Sequence, residues 1–357
     1  MFSKKHSTMT KGILIILMLT HHVFFPDQMD LYEVDTLIDN PARVAQIISF
    51  FRICVAGFSF LSAFGITRAL KNNPPANASE SMNAVFKRLI KLESSVLIIY
   101  ILAALYRQFV MRQPLGQLYA PVDMDSSHIA LCMFIDGLGL AQFMNIPSVN
   151  VTWWYLSYAI LLILLMPFIY KAYEKFRYPL LPAACMVFLL IPLHRVEFWH
   201  FLPTAFLGCA FAYENWFERL RDWRQDNKII KTGKFFACLF VFYLSYLLNK
   251  YAGLEFSSML VFVIPYMVYE FIASIPGINF CLEFLGRHAT NIFLTHTFIY
   301  YYFYSDFIYS FRDSWKILSV LSGLSLALSI LLELLKKYSG YNRLTAKILQ
   351  LVSPKST

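Results

Sequence analysis

The sequence predicts an all-α integral membrane protein, and three observations carry that expectation. Hydrophobic residues fill 58% of the 357 positions and charged ones only 15%, a balance that soluble chains of this length seldom reach. The apolar residues collect in repeated stretches of about 17–25 residues, the length a helix needs to cross a hydrocarbon layer. The basic residues are distributed asymmetrically about those stretches, as a multi-pass chain requires.

About ten spans follow in order, at 12–26, 50–70, 89–110, 152–171, 179–194, 201–214, 233–249, 256–273, 288–304 and 314–335. The first is read as retained and not as a signal peptide, because His21-His22 breaks its apolar run and no small-residue cleavage site follows. An acidic loop at 27–42 (Asp27, Asp30, Glu33, Asp35, Asp39) separates it from the second span. The polar, Pro-containing stretch 71–86 leads to the third, which opens on Arg88 and Lys91. Segment 128–144 is apolar but carries Asp136, Gly137 and Gly139. Both its flanks belong outside, so it reads as a re-entrant or interfacial segment. Residues 215–232 form a basic interfacial stretch. Residues 1–345 are read as a single transmembrane domain and 346–357 as a short cytoplasmic tail.

With the N-terminus inside, the cytoplasmic side holds 23 of the 31 Lys and Arg. The net charge of +9 is then an orientation device and gives no reason to expect nucleic acid as a partner; membrane lipids are the expected surroundings. Both termini are expected in the cytoplasm. Trp153, Trp154, Trp199 and Trp315 fall near the outer interface, and Trp216 and Trp223 near the inner one. The six cysteines are scattered without a CxxC pair and read as small buried hydrophobes. No metal-ligand spacing, Walker loop or GxSxG occurs, so no metal is expected and an ATPase or lipase is disfavoured.

Lys11 and His22 stand out in the first span. Eleven steps along an α-helix turn through about 1100°, so the two lie within roughly 20° of one face, separated by about 16 Å of rise. An ionisable residue inside a membrane helix is expected to be functional. His21 points about 100° away from that face and reads as structural. In the ninth span His288, Asn291 and Thr295 fall within a roughly 60° arc, a polar strip that suits either a cavity wall or helix-to-helix bonding.

Five blocks in order resemble the membrane acyltransferase-3 family: Lys11-X10-His22, the FSFLSAFG run from Phe58 to Gly65, Arg88-Leu-Ile-Lys91, Asn150-Val-Thr-Trp153-Trp154-Tyr155-Leu-Ser157, and the stretch from Phe284 through Gly286, His288 and Asn291 to His296. Lys11 and Lys91 stand where the family more often has Arg, and Ala63 where it has Gly. The resemblance implies an O-acyltransferase using acetyl-CoA as co-substrate and acting on an envelope saccharide, polymeric or lipid-linked, at a bacterial cytoplasmic membrane. It implies His22 with Lys11 as the catalytic pair, and Lys11, Arg88 and Lys91 as cations for the CoA phosphates at a cytoplasmic mouth. Substrate contacts are then expected among Ser62, Trp153, Trp154, His288, Asn291, Thr295 and His296. A succinyl or other acyl donor on the same fold, or a transporter or flippase of a lipid-linked glycan, are the alternative readings.

Overall fold

The computed structural model describes residues 1–119, 126–191 and 197–352. Among the described residues the protein is helical throughout, without a β-strand. A lone bridge joins Asp35 to Asp313. The elements used below are α1 (Lys4–Val23), α2 (Ile53–Asn72), α3 (Ala78–Leu105), α4 (Ser126–Gly137), α5 (Trp154–Phe176), α6 (Leu202–Glu214), α7 (Trp216–Asp222), α8 (Lys228–Tyr251), α9 (Val263–Glu270), α10 (Ile278–Arg287), α11 (Ala289–Thr297), α12 (Ser314–Tyr338) and α13 (Tyr341–Leu351).

Six described stretches are long and apolar enough to cross a membrane: Pro41–Asn72, Ala78–Val110, Val151–Phe176, Lys228–Tyr251, Leu254–Ser274 and Ser314–Tyr338. They coincide with six of the expected spans. The expected span 12–26 lies largely on α1. Span 179–194 is represented by the 11-residue helix Leu180–Leu190, with residues 192–194 outside the described residues, and span 201–214 by the 13-residue α6. Helices of that length rise only about 16–20 Å. The ninth expected span divides. The helix stops at His288, resumes as α11, and widens into a π-turn over Phe298–Phe303. Segment 128–144 is the 12-residue α4, a turn at Gly139 with φ of +65°, and the short helix Ala141–Met144. A non-glycine residue is disfavoured at that φ.

The chain forms two compact units. The first comprises Met1–Pro74, Leu165–Ala289 and Arg312–Leu318. Its centre is the crossing of α1 with α10, where glycines let two backbones meet. A Cβ on Gly286 would stand 1.8 Å from the Thr8 carbonyl oxygen, and one on Gly12 would stand 2.3 Å from that of Leu282. Small residues at helix crossings are how membrane helices gain contact, because lipid supplies no hydrophobic drive between them. Around the start of α1, Phe2 stacks among Phe64, Phe217 and Tyr269. There the Glu218 carboxylate accepts from the Phe2 N–H at 3.0 Å and from Arg68 at 2.6 Å. Desolvation alone would raise the Glu218 pKa, but those two donors outweigh it and hold the carboxyl below its usual range.

The second unit comprises Pro75–Leu164, Thr290–Phe311 and Ser319–Thr357. Val96, Ile99, Tyr100, Ala103, Val149, Trp153, Leu156, Leu294, Phe298 and Leu332 form its core. Two corrections to the sequence reading follow. Trp153 is not an interfacial belt residue: it is 2% exposed, and its indole N–H donates to the Leu294 carbonyl at 3.2 Å. Aromatic belts need one wet end, and this indole satisfies its N–H inside the protein. Cys281 is exposed, whereas Cys54, Cys132, Cys209 and Cys238 are buried. α10 is strongly one-sided, with Gly286 on its packed face.

Candidate functional site

Lys11 and His22 lie on the single uninterrupted helix α1, so the angular argument made from spacing holds for the backbone that carries them. Both are half-buried. The two neighbouring histidines point to different surroundings. His21 is 8% exposed and its Nδ1 donates to the Ile48 carbonyl at 2.8 Å. That bond holds the imidazole across to the helix Pro41–Phe50. His22 follows about 100° around the helix and has its ring roughly parallel to that of Phe25, 6.4 Å away between centroids. Sequence alone pointed to a structural His21 by its direction; the Ile48 carbonyl, 27 positions away, is what makes it so.

The other candidates of the first unit are Ser62, half-buried on α2, and His288, half-buried at the end of α10 with its ring edge-on to Phe284 at 5.0 Å. His288 ends α10 in the first unit, and Asn291 and Thr295 lie on α11 in the second. The latter two are one turn apart on the same helix. Thr295 turns its hydroxyl back to the Asn291 carbonyl at 2.8 Å.

In the second unit, Arg88 and Lys91 are three positions apart on α3 and so share a side of it. Arg88 is half-buried and donates to the Ala84 carbonyl at 3.0 Å, while Lys91 is exposed. Asn291 is held by charges. Its amide donates to Glu333 at 2.8 Å and its Oδ1 accepts from Lys336 Nζ at 3.0 Å. Lys336 also reaches Glu333 at 3.1 Å and Ser95 at 3.4 Å. This four-member network was not foreseen. Lys336 reads in sequence as a cytoplasmic orientation charge, yet its side chain is only 6% exposed. Nothing local to residue 336 announces a partner 45 positions earlier. His296 is fully buried and its Nδ1 donates within its own helix to the Phe293 carbonyl at 2.8 Å. Its Nε2 lies 3.3 Å from the Thr297 hydroxyl.

A second cluster sits where α4 meets the Asn150 block. Asp136 is wholly buried and its carboxylate accepts from Tyr119 at 2.6 Å, Ser148 at 2.6 Å and the Val149 N–H at 2.7 Å. Tyr119 spends its proton on Asp136, so Tyr100, 3.1 Å from Tyr119, is the donor between those two hydroxyls. Asn150 is buried, caps the turn that follows by accepting from the Thr152 N–H at 3.0 Å, and donates to Leu294. A cavity of about 250 Å³ adjoins these groups, lined in part by Asp136, Gln142, Ser148, Trp153 and Trp154. The signal that could have found it was an Asp inside an apolar run.

A family model described as an acyltransferase domain matches residues 8–334. No curated protein and no solved structure matches the chain significantly.

Proposed function

The chain belongs to the acyltransferase-3 family, and from that premise we propose that it is a membrane O-acyltransferase moving an acetyl group from cytoplasmic acetyl-CoA to a hydroxyl of an envelope saccharide. A capsule, exopolysaccharide or O-antigen unit is the acceptor class. The observation that carries the assignment of the base is the common face of Lys11 and His22 on one uninterrupted helix. His21 is committed to the Ile48 carbonyl, and the adjacent half-buried His22 shares the face of Lys11.

In the proposed reaction a neutral imidazole nitrogen of His22 takes the acceptor hydroxyl proton as the oxygen attacks the thioester carbonyl carbon. The tetrahedral intermediate collapses with cleavage of the carbon–sulfur bond. The departing CoA sulfur receives the proton back from the imidazolium, and the ester and free thiol leave. Histidine suits both transfers because its ordinary pKa lies near neutrality. Lys11 in the first unit, and separately Arg88 and Lys91 in the second, are the cations proposed to attract the CoA phosphates, since cations beside apolar walls act strongly on anions.

NMR of purified envelope polysaccharide from cells with and without the protein tests the reading. The expected result is loss of an O-acetyl signal from an otherwise intact polymer. An unchanged acetylation pattern, or loss of the polymer itself as a flippase defect would give, would overturn it; loss of succinyl signals in place of acetyl would change the donor.

Two further outcomes are expected. Arg88→Gln raises the KM for acetyl-CoA roughly tenfold for each ~1.4 kcal/mol of lost phosphate attraction, and leaves the acceptor KM nearly unchanged. The effect shrinks at high salt. Lys91→Arg is tolerated, because a guanidinium grips phosphate with two donors. An unaltered donor KM in Arg88→Gln would remove that residue from the donor site. The orientation is checked by cysteine labelling in a Cys281→Ser background, needed because Cys281 is exposed. An impermeant reagent added outside intact cells reacts with Asp35→Cys and spares Ser79→Cys; the reverse pattern inverts the topology.

A further inference from the structure

The cavity beside Asp136 has the chemistry of a sugar-binding pocket, and no candidate residue assigned above by family resemblance explains why Asp136 and Gln142 border it. Its walls combine an indole with hydrogen-bonding groups of both kinds. Trp154 is half-buried and meets Tyr155 edge-on, with ring centroids 6.0 Å apart. Aromatic side chains offer a flat apolar face to a ring's C–H groups while keeping a polar edge. The exposed Gln142 carries an amide that both donates and accepts.

Asp136 provides the fixed point. A carboxylate has about four lone-pair sites on its two oxygens. Among the described residues, Oδ2 accepts from Tyr119 and Val149, and Oδ1 accepts from Ser148. With 0% of its surface exposed, Asp136 does not meet a ligand itself; its three bonds hold Ser148 and the Val149 backbone rigidly at the cavity edge. Gly139, which also borders the cavity, gives its carbonyl to Ser157 at 2.6 Å and so fixes the turn that forms one wall. The volume of about 250 Å³ falls just below the range of about 300–1,000 Å³ typical of drug-sized ligand pockets. It suits one sugar ring and not a long oligosaccharide run.

We propose that this pocket, presenting Gln142, Ser148 and Trp154 on a loop that the buried Asp136 holds in place, binds one pyranose unit of the saccharide acceptor. The inference rests on the acyltransferase reading above and adds to it the place where the acceptor is gripped. Asp136 also ties its own loop, so the variants that test the pocket are Gln142→Ala and Trp154→Ala. The probe is fragments of the host's envelope polysaccharide, de-O-acetylated with mild base.

Hydrogen–deuterium exchange on the purified full chain should show that the fragments protect peptides covering 136–154. Trp154→Ala should weaken that protection roughly tenfold in fragment concentration, and Gln142→Ala severalfold. In the transfer assay both should raise the acceptor KM and leave the acetyl-CoA KM unchanged. Fragments that leave 136–154 unprotected, or that bind both variants as they bind the wild-type chain, overturn the inference while polymer O-acetylation can still stand. Protection of 136–154 in a chain that transfers no acyl group overturns the catalytic reading and keeps the pocket.

Discussion

His22→Ala abolishes acyl transfer, and the amount of folded protein in the membrane stays close to wild type. Removing a positioned general base typically costs on the order of 10²–10⁴ in rate, more than any other single change considered for this chain. His21→Ala gives the opposite pattern. Its imidazole is buried and bonded to the Ile48 carbonyl, which keeps the Phe51 N–H as a second donor, so its removal costs about 0.5–1.5 kcal/mol for the lost hydrogen bond, plus the packing of the buried ring. The loss should appear as a lower thermal midpoint in detergent, with turnover per folded molecule within a few-fold of wild type. The pair of variants is informative together, because they alter the same residue type at adjacent positions. Near-normal acetylation by His22→Ala, or a turnover loss in His21→Ala as large as that expected for His22→Ala, would sink the assignment.

Gly286→Ala has the second-largest expected effect, and it acts on folding. A methyl group there would lie 1.8 Å from the Thr8 carbonyl oxygen and 3.1 Å from the Gly12 nitrogen. The obstacle is backbone on the facing helix, which cannot rotate aside as a long side chain can. Overpacking of this kind typically costs about 1–3 kcal/mol, and a rigid obstacle places this case at the upper end or beyond. The comparison is Gly323→Ala on α12, where a Cβ meets nothing within 4 Å. There the substitution should be neutral, or stabilising by up to about 1 kcal/mol, through helix propensity. Thermal scans monitored by size-exclusion fluorescence should separate the two variants clearly. Equal midpoints would mean that α1 and α10 do not cross as tightly as described.

Much of the architecture was legible because hydropathy reports it directly. The six long apolar helices fall where uninterrupted apolar runs fall, and the special nature of segment 128–144 was visible in its Asp and Gly residues. What escaped was whatever depends on partners far along the chain. Trp153 was read as a belt residue from its place at a span end; its burial comes from Leu294 and Phe298, more than 140 positions later. Lys336 sat in a basic pair at the end of a span and was counted by sign, whereas its link to Asn291 exists only once α11 and α12 pack. The break at His288 was hidden because periodicity treats residues 288–304 as one ideal helix, and a one-residue interruption leaves the apolar content unchanged. For the candidate site, spacing alone gave the common face of Lys11 and His22, since it needs only a continuous helix. The same spacing already set His21 apart by its direction; the carbonyl that His21 bonds, Ile48, was not legible because it lies 27 positions on.

The bond between His21 and Ile48 also bears on what lengths of chain this protein can tolerate. It acts as an indexing pin that fixes the rotational setting of α1 at residue 21. One residue inserted between Lys11 and His21 would swing Lys11 about 100° around the axis and shift it by about 1.5 Å, with His22 left in place. Restoring the alignment would take nearly a whole turn of added or deleted residues. The loop beyond residue 26 carries no such constraint, since its growth lies past the pin. Insertions and deletions among relatives should therefore be excluded from the eleven-residue interval on α1 and accumulate just after it, even where the side chains within that interval vary freely.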